Sequence, residues 1–329
     1  MNLNKLLKIA SLLFLLLIAT LCACYEPVSN SRVDAQQHSV DESQTAEPEP
    51  TATTEPFEEN SNSVGDTLEV KTEQKSQNEF YAKIGTRFDE LGYAGVYDPT
   101  NAVEKRLVND YGAVFLTKAI PPTKIMFENE AEVIAFQNKA GSRRINLGGI
   151  SIELQTEAAQ AILEAEKEAR NAGLSISPRG KEGAAKRSFA KTKELWDGRV
   201  NKALAHWRAN GKIDQVTVDE VRALPLKAQV AKVFELEQLG IYFSTQFDKS
   251  ILYSVAAPGA SQHISMLALD VKQYGNRNVR EILARHGWFR TVESDEPHFT
   301  YLGYSKDELS GLGLKCIDTA TGEFCVPNV

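Results

Sequence analysis

Two histidines and several carboxylates stand close together near the C-terminal end of the 329-residue sequence. His263 and Asp270 are followed, further along the chain, by Asp295, Glu296 and His298. Catalytic zinc sites use three protein ligands of the imidazole and carboxylate kind and leave a fourth position open. We therefore predict that His263, Asp270 and His298 bind Zn²⁺. The alternative is a buried, hydrogen-bonded histidine pair that holds no metal.

A longer pattern of residues surrounds these ligands. It runs Ser261-Gln-His263-Ile-Ser-Met-Leu-Ala268-Leu-Asp270 and later Asp295-Glu-Pro-His298. The pattern resembles the motif Ser-x-His-x-x-Gly-x-Ala-x-Asp and Glu-x-Trp-His of the D-alanyl-D-alanine carboxypeptidase family of zinc peptidases. The resemblance implies a zinc-dependent D,D-carboxypeptidase-like hydrolase that acts on peptidoglycan stem peptides ending in D-alanine.

Three positions depart from that motif. Met266 stands at the glycine position, Pro297 at the tryptophan position, and Asp295 at the position of the catalytic glutamate. The resemblance implies that Asp295 is the general base, although its side chain is one methylene shorter than that of glutamate. Glu296 is the rival base, because on a regular strand Glu296 and His298 share a face and Asp295 points away.

The resemblance also implies two substrate-binding residues. Arg179 closes the segment Gly173-Leu-Ser-Ile-Ser-Pro-Arg179, which follows a predicted helix where the family has Ser-Gly-Tyr-Arg-Ser. The family's arginine helps to hold the substrate, and a guanidinium offers a fork of donors that matches a carboxylate. We therefore expect Arg179 to bind the substrate carboxylate, with a surface-loop arginine as the alternative. Ser261 is assigned to substrate binding by its place in the motif.

Helical periodicity precedes the motif, and short strand-like runs accompany it. Apolar residues at helical spacing, with stop signals after them, predict helices at 155–171, 188–210, 217–223 and 226–239. Short β-branched or aromatic runs predict strands at 251–256, 267–271 and 299–302. This order predicts an α+β fold, in which a helical N-terminal part is followed by a small, mainly antiparallel sheet that carries the zinc site.

The N-terminus has the pattern of an export signal. Lys5 and Lys8 precede an apolar stretch that ends in Leu21-Cys22-Ala23-Cys24, which resembles the bacterial lipoprotein box. The stretch is shorter than the ~20 residues of a spanning helix. We therefore predict a lipoprotein signal peptide at 1–23 and lipid on Cys24, with a permanent transmembrane anchor or an ordinary cleaved signal as alternatives.

The predicted lipid would anchor the protein to the membrane on the extracytoplasmic side of the cell envelope. Tyr25 after the lipidated cysteine resembles the outer-membrane sorting pattern of cells with two membranes. Residues 24–79 are rich in Glu, Ser, Thr, Pro and Gln and poor in apolar residues, which predicts a disordered acidic tether. Nothing in the sequence indicates nucleic-acid binding.

The rest of the chain is long enough for one large domain. We predict a peptidase-like domain at 151–329 with an N-terminal extension at 80–150 whose role the resemblance does not explain, and one large domain is the alternative. Of the four cysteines, two lie in the predicted lipoprotein box, which leaves Cys316 and Cys325. In an oxidising compartment we expect these two to form a disulfide, with two unpaired thiols as the alternative.

Two other functions are also consistent with the sequence. The altered glycine, tryptophan and base positions also suit a non-catalytic envelope lipoprotein that binds cell-wall peptide or metal. A purely structural lipoprotein is the third alternative. Metal content would distinguish a purely structural lipoprotein from the other two functions. Peptide hydrolysis would distinguish the zinc hydrolase from the non-catalytic binding protein.

Overall fold

The computed structural model describes residues 79–93 and 95–329. The predicted signal peptide at 1–23, the lipidation site Cys24 and nearly all of the predicted tether at 24–79 lie outside these residues. The described residues contain no helix that is both long and apolar enough to cross a membrane.

Helices make up most of the regular structure in the described residues. They are α1 (79–90), α2 (Ala102–Tyr111), α3 (Glu130–Ala140), α4 (Thr156–Asn171), α5 (Phe189–Ala209), α6 (Gln215–Ala223), α7 (Leu226–Gln238) and α8 (Arg277–Arg285). The four predicted helices are confirmed as α4, α5, α6 and α7, with ends that differ from the prediction by two residues or fewer.

The strands are short, and every pair is antiparallel. They are β1 (Arg143–Leu147), β2 (Ile150–Leu154), β3 (Ala268–Asp270), β4 (Trp288–Phe289), β5 (His298–Tyr301), β6 (Leu314–Thr319) and β7 (Gly322–Pro327). They form a β1–β2 hairpin, a sheet in the order β3–β5–β4, and a β6–β7 hairpin. This mixture of helices and small antiparallel sheets is that of an α+β protein, and the strands predicted at 267–271 and 299–302 are β3 and β5.

Two local predictions are wrong. The strand predicted at 251–256 is instead a 3₁₀ turn, Ile251–Tyr253, because Ser250 caps it and the buried Glu237 carboxylate accepts a hydrogen bond from Ile251 N. Thr217 and Glu220 have the spacing of a capping box, and the helix start that this spacing predicts at Thr217 is also wrong. Asp214 caps α6 instead, because its side chain accepts a hydrogen bond from Thr217 N at 2.8 Å.

The β1–β2 hairpin bears on the predicted domain boundary. Ile145 on β1 pairs with Ile152 on β2, so a boundary between residues 150 and 151 passes through the hairpin. Phe80 is fully buried in the same hydrophobic cluster as Trp196 and Leu269. Residues 80–150 and 151–329 therefore share one hydrophobic core. The strands also begin earlier than predicted, since β1 and β2 precede α4.

The C-terminal hairpin joins the two remaining cysteines. Cys316 on β6 lies directly opposite Cys325 on β7, and a disulfide links them. The hairpin is also tied to the central sheet, because Cys325 N donates a hydrogen bond to the carbonyl oxygen of Arg290, the residue after β4. The end of the described chain is thereby fixed against the sheet that carries Asp270 and His298.

Two buried glutamines hold the segment that leads into β3. Gln155, fully buried at the start of α4, donates from its side chain to the carbonyl oxygens of Ile120 and Ser265, each at 2.8 Å. Gln137 on α3 donates from its side chain to the carbonyl oxygen of Ile264 at 3.0 Å. Buried carbonyl groups need such partners. The amides thus fix the path of the chain around residues 264 and 265.

Gly259 brings the backbone before the motif into close contact with residue 127. Its φ is +79°, and an added Cβ would lie 2.0 Å from the carbonyl oxygen of Phe127. Phe127 N donates a hydrogen bond to the Gly259 carbonyl oxygen at 3.1 Å. Only glycine fits this position, because any Cβ would push the two backbones apart.

We expect Gly259→Ala to lower the free energy of unfolding by about 3 kcal/mol, from the sum of a left-handed backbone and a steric clash. Gly149→Ala is the matched control, because Gly149 also has a positive φ but has open space around its Cβ position. We expect that control to cost only about 1 kcal/mol. Urea unfolding of the two proteins measures both values, and equal losses would contradict the close approach at Gly259.

Candidate functional site

The local chain path brings the three predicted ligands together. His263 lies in a 3₁₀ turn, Gln262–Ser265, and Met266 then adopts a left-handed conformation with φ 59° that turns the chain into β3. Asp270 ends β3 and lies directly opposite His298, the first residue of β5. The antiparallel register therefore places the carboxylate beside one imidazole, and the 3₁₀ turn brings the other.

Two of the three separations between ligand atoms match those of a tetrahedral metal site. His263 Nε2 and His298 Nδ1 each lie 3.3 Å from Asp270 Oδ1. All three side chains are within 4.8 Å of one another through their ligand atoms. Two ligands about 2.05 Å from zinc at a tetrahedral angle are about 3.3 Å apart. The three residues thus form a largely buried group that is able to hold a metal ion.

Hydrogen bonding determines which nitrogen of His298 faces the carboxylate. The Gln262 side chain donates from Nε2 to the carbonyl oxygen of Tyr111 at 2.9 Å, so its Oε1 faces His298 and Thr300. That oxygen accepts a hydrogen bond from His298 Nε2 at 2.8 Å. The neutral ring therefore carries its proton on Nε2 and turns the lone pair of Nδ1 toward Asp270. Such a partner behind a histidine orients it as a metal ligand.

Three buried atoms of the other two residues have no hydrogen-bonding partner of acceptable geometry within the described residues. They are Asp270 Oδ1 and both ring nitrogens of His263. Asp270 uses its second oxygen differently, because Oδ2 accepts from Arg187 Nη2 at 3.0 Å. Buried polar atoms are rarely left without a partner. A cation between Asp270 Oδ1, His263 Nε2 and His298 Nδ1 would satisfy the first two of these atoms, and His263 Nδ1 would stay without a partner among the described residues.

The charge states also suit a metal. Burial lowers the pKa of His263 to about 4, so the imidazole is neutral near pH 7. Burial tends to raise the pKa of Asp270, but the neighbouring His263 and His298 outweigh it and hold that pKa well below its usual range. A neutral imidazole and an ionised carboxylate are the forms that bind metal.

The second group of potential ligands in the described residues has a different role. Cys316, Glu323 and Cys325 lie close enough together to hold a metal ion. The two sulfurs are already joined in a disulfide, so they offer no thiolate. We therefore restrict the candidate metal centre to His263, Asp270 and His298.

A cleft of about 560 Å³ opens over the metal group. Ser261, His263, Asp295 and His298 line it, together with Arg187. Asp295 is exposed to solvent, but the walls of the cleft place many protein atoms around its carboxyl group. This enclosure raises the pKa of the Asp295 carboxyl, and the nearby His298 partly offsets the effect.

The two candidate bases are separated by a turn. His298 N donates to the Asp295 carbonyl oxygen at 3.1 Å, so residues 295–298 form a turn rather than a strand. The alternation argument that favoured Glu296 is therefore wrong, because it needs extended backbone. Glu296 lines a different surface depression with Arg280 and residues 319–322. Asp295 alone of the two carboxylates lines the cleft.

The predicted substrate residues lie in different surroundings. Ser261 is buried and lines the cleft. Arg179 is an exposed residue whose guanidinium lies 5.5 Å from the Tyr274 ring centroid, and it is not among the cleft-lining residues. Its backbone N–H donates to the Asp270 carbonyl oxygen at 2.7 Å, which docks the 178–179 segment on β3.

Sequence reasoning missed two residues that support the site. Arg187 lines the cleft and binds Asp270 Oδ2, and Gln262 orients His298. Gln262 lies inside the motif pattern and next to a predicted ligand, which was a usable signal. Arg187 stands in a basic, glycine-containing loop with no such signal, because the contact with Asp270 spans 83 positions in the chain.

The motif position of Met266 has a conformational explanation. Met266 is fully buried and has a left-handed backbone, a conformation that costs a non-glycine residue about 1 kcal/mol. Glycine, which the resemblance expects here, adopts it without that cost. The substitution thus keeps the turn into β3 and adds a buried apolar side chain.

Comparison with known proteins gave no match. No protein-family model, no curated protein and no solved structure matches the chain. Its function is therefore argued from the residues themselves.

We expect Arg187→Gln to lower the free energy of unfolding by about 2 kcal/mol in the presence of a chelator, because it leaves the largely buried Asp270 carboxylate without its cation. Arg144→Gln is the matched control, since it removes an exposed arginine from a salt bridge with Glu153. We expect a loss of about 0.5 kcal/mol or less there. Urea unfolding compares the two, and an equal loss would show that the Arg187 pair contributes no more than a surface pair.

Proposed function

We propose that the protein is a zinc-dependent D,D-carboxypeptidase-like hydrolase that acts on peptidoglycan stem peptides ending in D-alanine. The observation that carries the proposal is the pair of 3.3 Å separations from Asp270 Oδ1 to His263 Nε2 and His298 Nδ1. The cleft over these atoms and the carboxylate of Asp295 in its wall support hydrolysis rather than a purely structural site.

His263, Asp270 and His298 would hold the ion. Bound zinc supplies Lewis acidity, which polarises a carbonyl group and makes a water molecule acidic enough to react near neutral pH. Three protein ligands leave one coordination position for substrate or water, which is the arrangement of catalytic rather than structural zinc sites.

Asp295 is the proposed general base and acid. Its carboxylate is in the cleft wall, three residues before His298 and joined to it by a turn. In this role the Asp295 carboxylate takes a proton from the attacking water and then gives a proton to the leaving amine. The turn offers a way to bring the shorter aspartate side chain close to the reacting group, which a strand would not.

Two arginines are candidates for the substrate's terminal carboxylate. The resemblance favours Arg179, which is exposed and has no carboxylate partner in the described residues. Arg187 lines the cleft, but one of its nitrogens is already bound to Asp270. A guanidinium has five N–H donors, so Arg187 can hold Asp270 and still offer donors to a ligand. We assign orientation of Asp270 to Arg187 and retain Arg179 for substrate binding.

The proposed substrate agrees with the predicted location. A lipid on Cys24 and an acidic tether would place the domain beside the cell wall, on the extracytoplasmic side of a membrane. Stem peptides are found there, so the tether would set the distance over which the domain can reach them.

A non-catalytic envelope protein that binds cell-wall peptide or metal remains the second candidate. The observation that favours it is the replacement of the expected glutamate by Asp295, whose shorter side chain reaches less far into the cleft. Such a protein would bind zinc and peptide and release no D-alanine.

We expect His298→Ala in the full chain, purified in detergent, to lose stoichiometric zinc and D-alanine release from pentapeptide stem peptides. His286→Ala is the matched control, because His286 lies at the end of α8 and contacts Glu168 away from the cleft. Metal analysis and D-alanine release are measured on the same samples. Zinc retained by the His298→Ala protein would refute the proposed ligand set.

We expect Asp295→Asn to lower kcat by about a hundredfold or more while zinc content stays the same, since a general base contributes ~10²–10⁴ to the rate. The neighbouring Glu296→Gln is the matched control, and we expect its kcat to remain close to that of the unmodified protein. The reverse result would assign the base to Glu296. Zinc binding without turnover in the unmodified protein would favour the second candidate.

A further inference from the structure

One wall of the cleft is a face of α5. Glu194, Leu195, Gly198, Arg199 and Lys202 of this helix line the cleft, and residues 252–256 line it as well. The Cβ position of Gly198 has no atom within 4 Å, so this helical glycine leaves open space in the wall. Glycine inside a helix costs about 1 kcal/mol relative to alanine. The wall thus forms a groove that leads away from the metal group.

The side chain of Arg199 is held in place without an acidic partner. Its guanidinium carbon lies 5.1 Å from the Phe247 ring centroid, and that ring stacks on His206 with centroids 3.9 Å apart. Phe247 has a left-handed backbone, and its N–H donates to the Ser244 carbonyl oxygen. Stacking on an aromatic ring restrains a guanidinium while leaving its N–H groups available.

The positive charges on this wall are not neutralised by the helix. Glu194 and Asp197 are bound to Lys191 and Lys193, and in the described residues no carboxylate lies within 4.0 Å of Arg199 or Lys202. Burial lowers the pKa of Arg199, and no acidic group offsets this effect. Its Nε is also buried without a partner. Arg199 and Lys202 therefore line the cleft without a carboxylate partner among the described residues.

The distance from the metal group sets the size of that ligand. Arg187, bound to Asp270, lies just before the start of α5, and Arg199 is ten positions beyond the first residue of that helix. An α-helix rises 1.5 Å per residue, so Arg199 lies about 15 Å along the helix axis from the start of α5. With the reach of its side chain, the guanidinium is roughly 10 to 15 Å from the metal end of the cleft. An extended peptide covers this distance with about three or four residues.

We infer that Arg199, assisted by Lys202, binds a carboxylate of an extended acidic peptide, three or four residues from the end that reaches His263, Asp270 and His298. This inference rests on the proposed function for the position of the reacting end. It adds a specificity for an anionic side chain that the metal ligands and Asp295 do not supply. A guanidinium held by stacking discriminates between a carboxylate side chain and the corresponding amide. Only the ionised carboxylate forms an ion pair strong enough to offset the free-energy cost of desolvating the arginine.

The test compares two labelled probes, Ala-Glu-Lys-D-Ala-D-Ala and the same peptide with Gln in place of Glu. Affinity is measured by fluorescence anisotropy on the full chain in detergent, with zinc and with chelator, for the unmodified protein and for Arg199→Gln. Lys193→Gln is the matched control, because Lys193 is on the same helix but bound to Asp197. Release of D-alanine from both probes is measured in parallel.

We expect the unmodified and Lys193→Gln proteins to bind the Glu probe about five- to tenfold more tightly than the Gln probe, and Arg199→Gln to lose this preference. Affinity of Arg199→Gln for the Gln probe should stay the same, which separates charge recognition from a general packing defect. Equal affinity of the unmodified protein for both probes, or binding of neither, would overturn the inference. A preference for the Glu probe without D-alanine release would uphold the inference and reject catalysis.

Discussion

The whole site depends on the hydrogen bonding of a few buried carbonyl groups. Residues 262–266 pass through the interior, where water is excluded. They contain the candidate ligand His263, the Gln262 side chain that orients His298, and the left-handed turn at Met266. Each buried carbonyl without a partner costs about 1–3 kcal/mol. The side chains of Gln137 and Gln155 meet this requirement at Ile264 and Ser265. These hydrogen bonds hold the backbone at the two residues that directly follow His263.

The support for the site comes from outside the motif. Gln137 lies on α3, and the carbonyl group that orients Gln262 belongs to Tyr111 at the end of α2. Both belong to residues 80–150, which the resemblance leaves unexplained. The ligands are therefore provided by a short C-terminal part of the chain, and their orientation is provided by an N-terminal part with no recognisable pattern.

Sequence reasoning succeeded where a signal is local and repeated. Helices α4 to α7 were predicted because apolar residues recur at helical spacing, and the grouping of His263, Asp270 and His298 was predicted from their chemical types and their order. It failed where the partner is distant or the backbone departs from regularity. The apolar run at 251–256 cannot by itself reveal the Glu237 carboxylate that caps a turn there. Likewise, the position of Asp295 depended on a turn at Pro297 that strand periodicity ignores.

The hydrogen bond between Gln262 and Tyr111 also has a consequence for when the site forms. It joins residues 151 positions apart, so the orientation of His298 is completed only after distant parts of the chain have met. Such long-range contacts are slow to form during folding. An unfolded chain has the same three candidate ligand residues but not their geometry, so it would hold a metal ion poorly. Any metal binding at this centre is thereby coupled to folding of the domain, because distant parts of the chain must meet before the ligand atoms are in place.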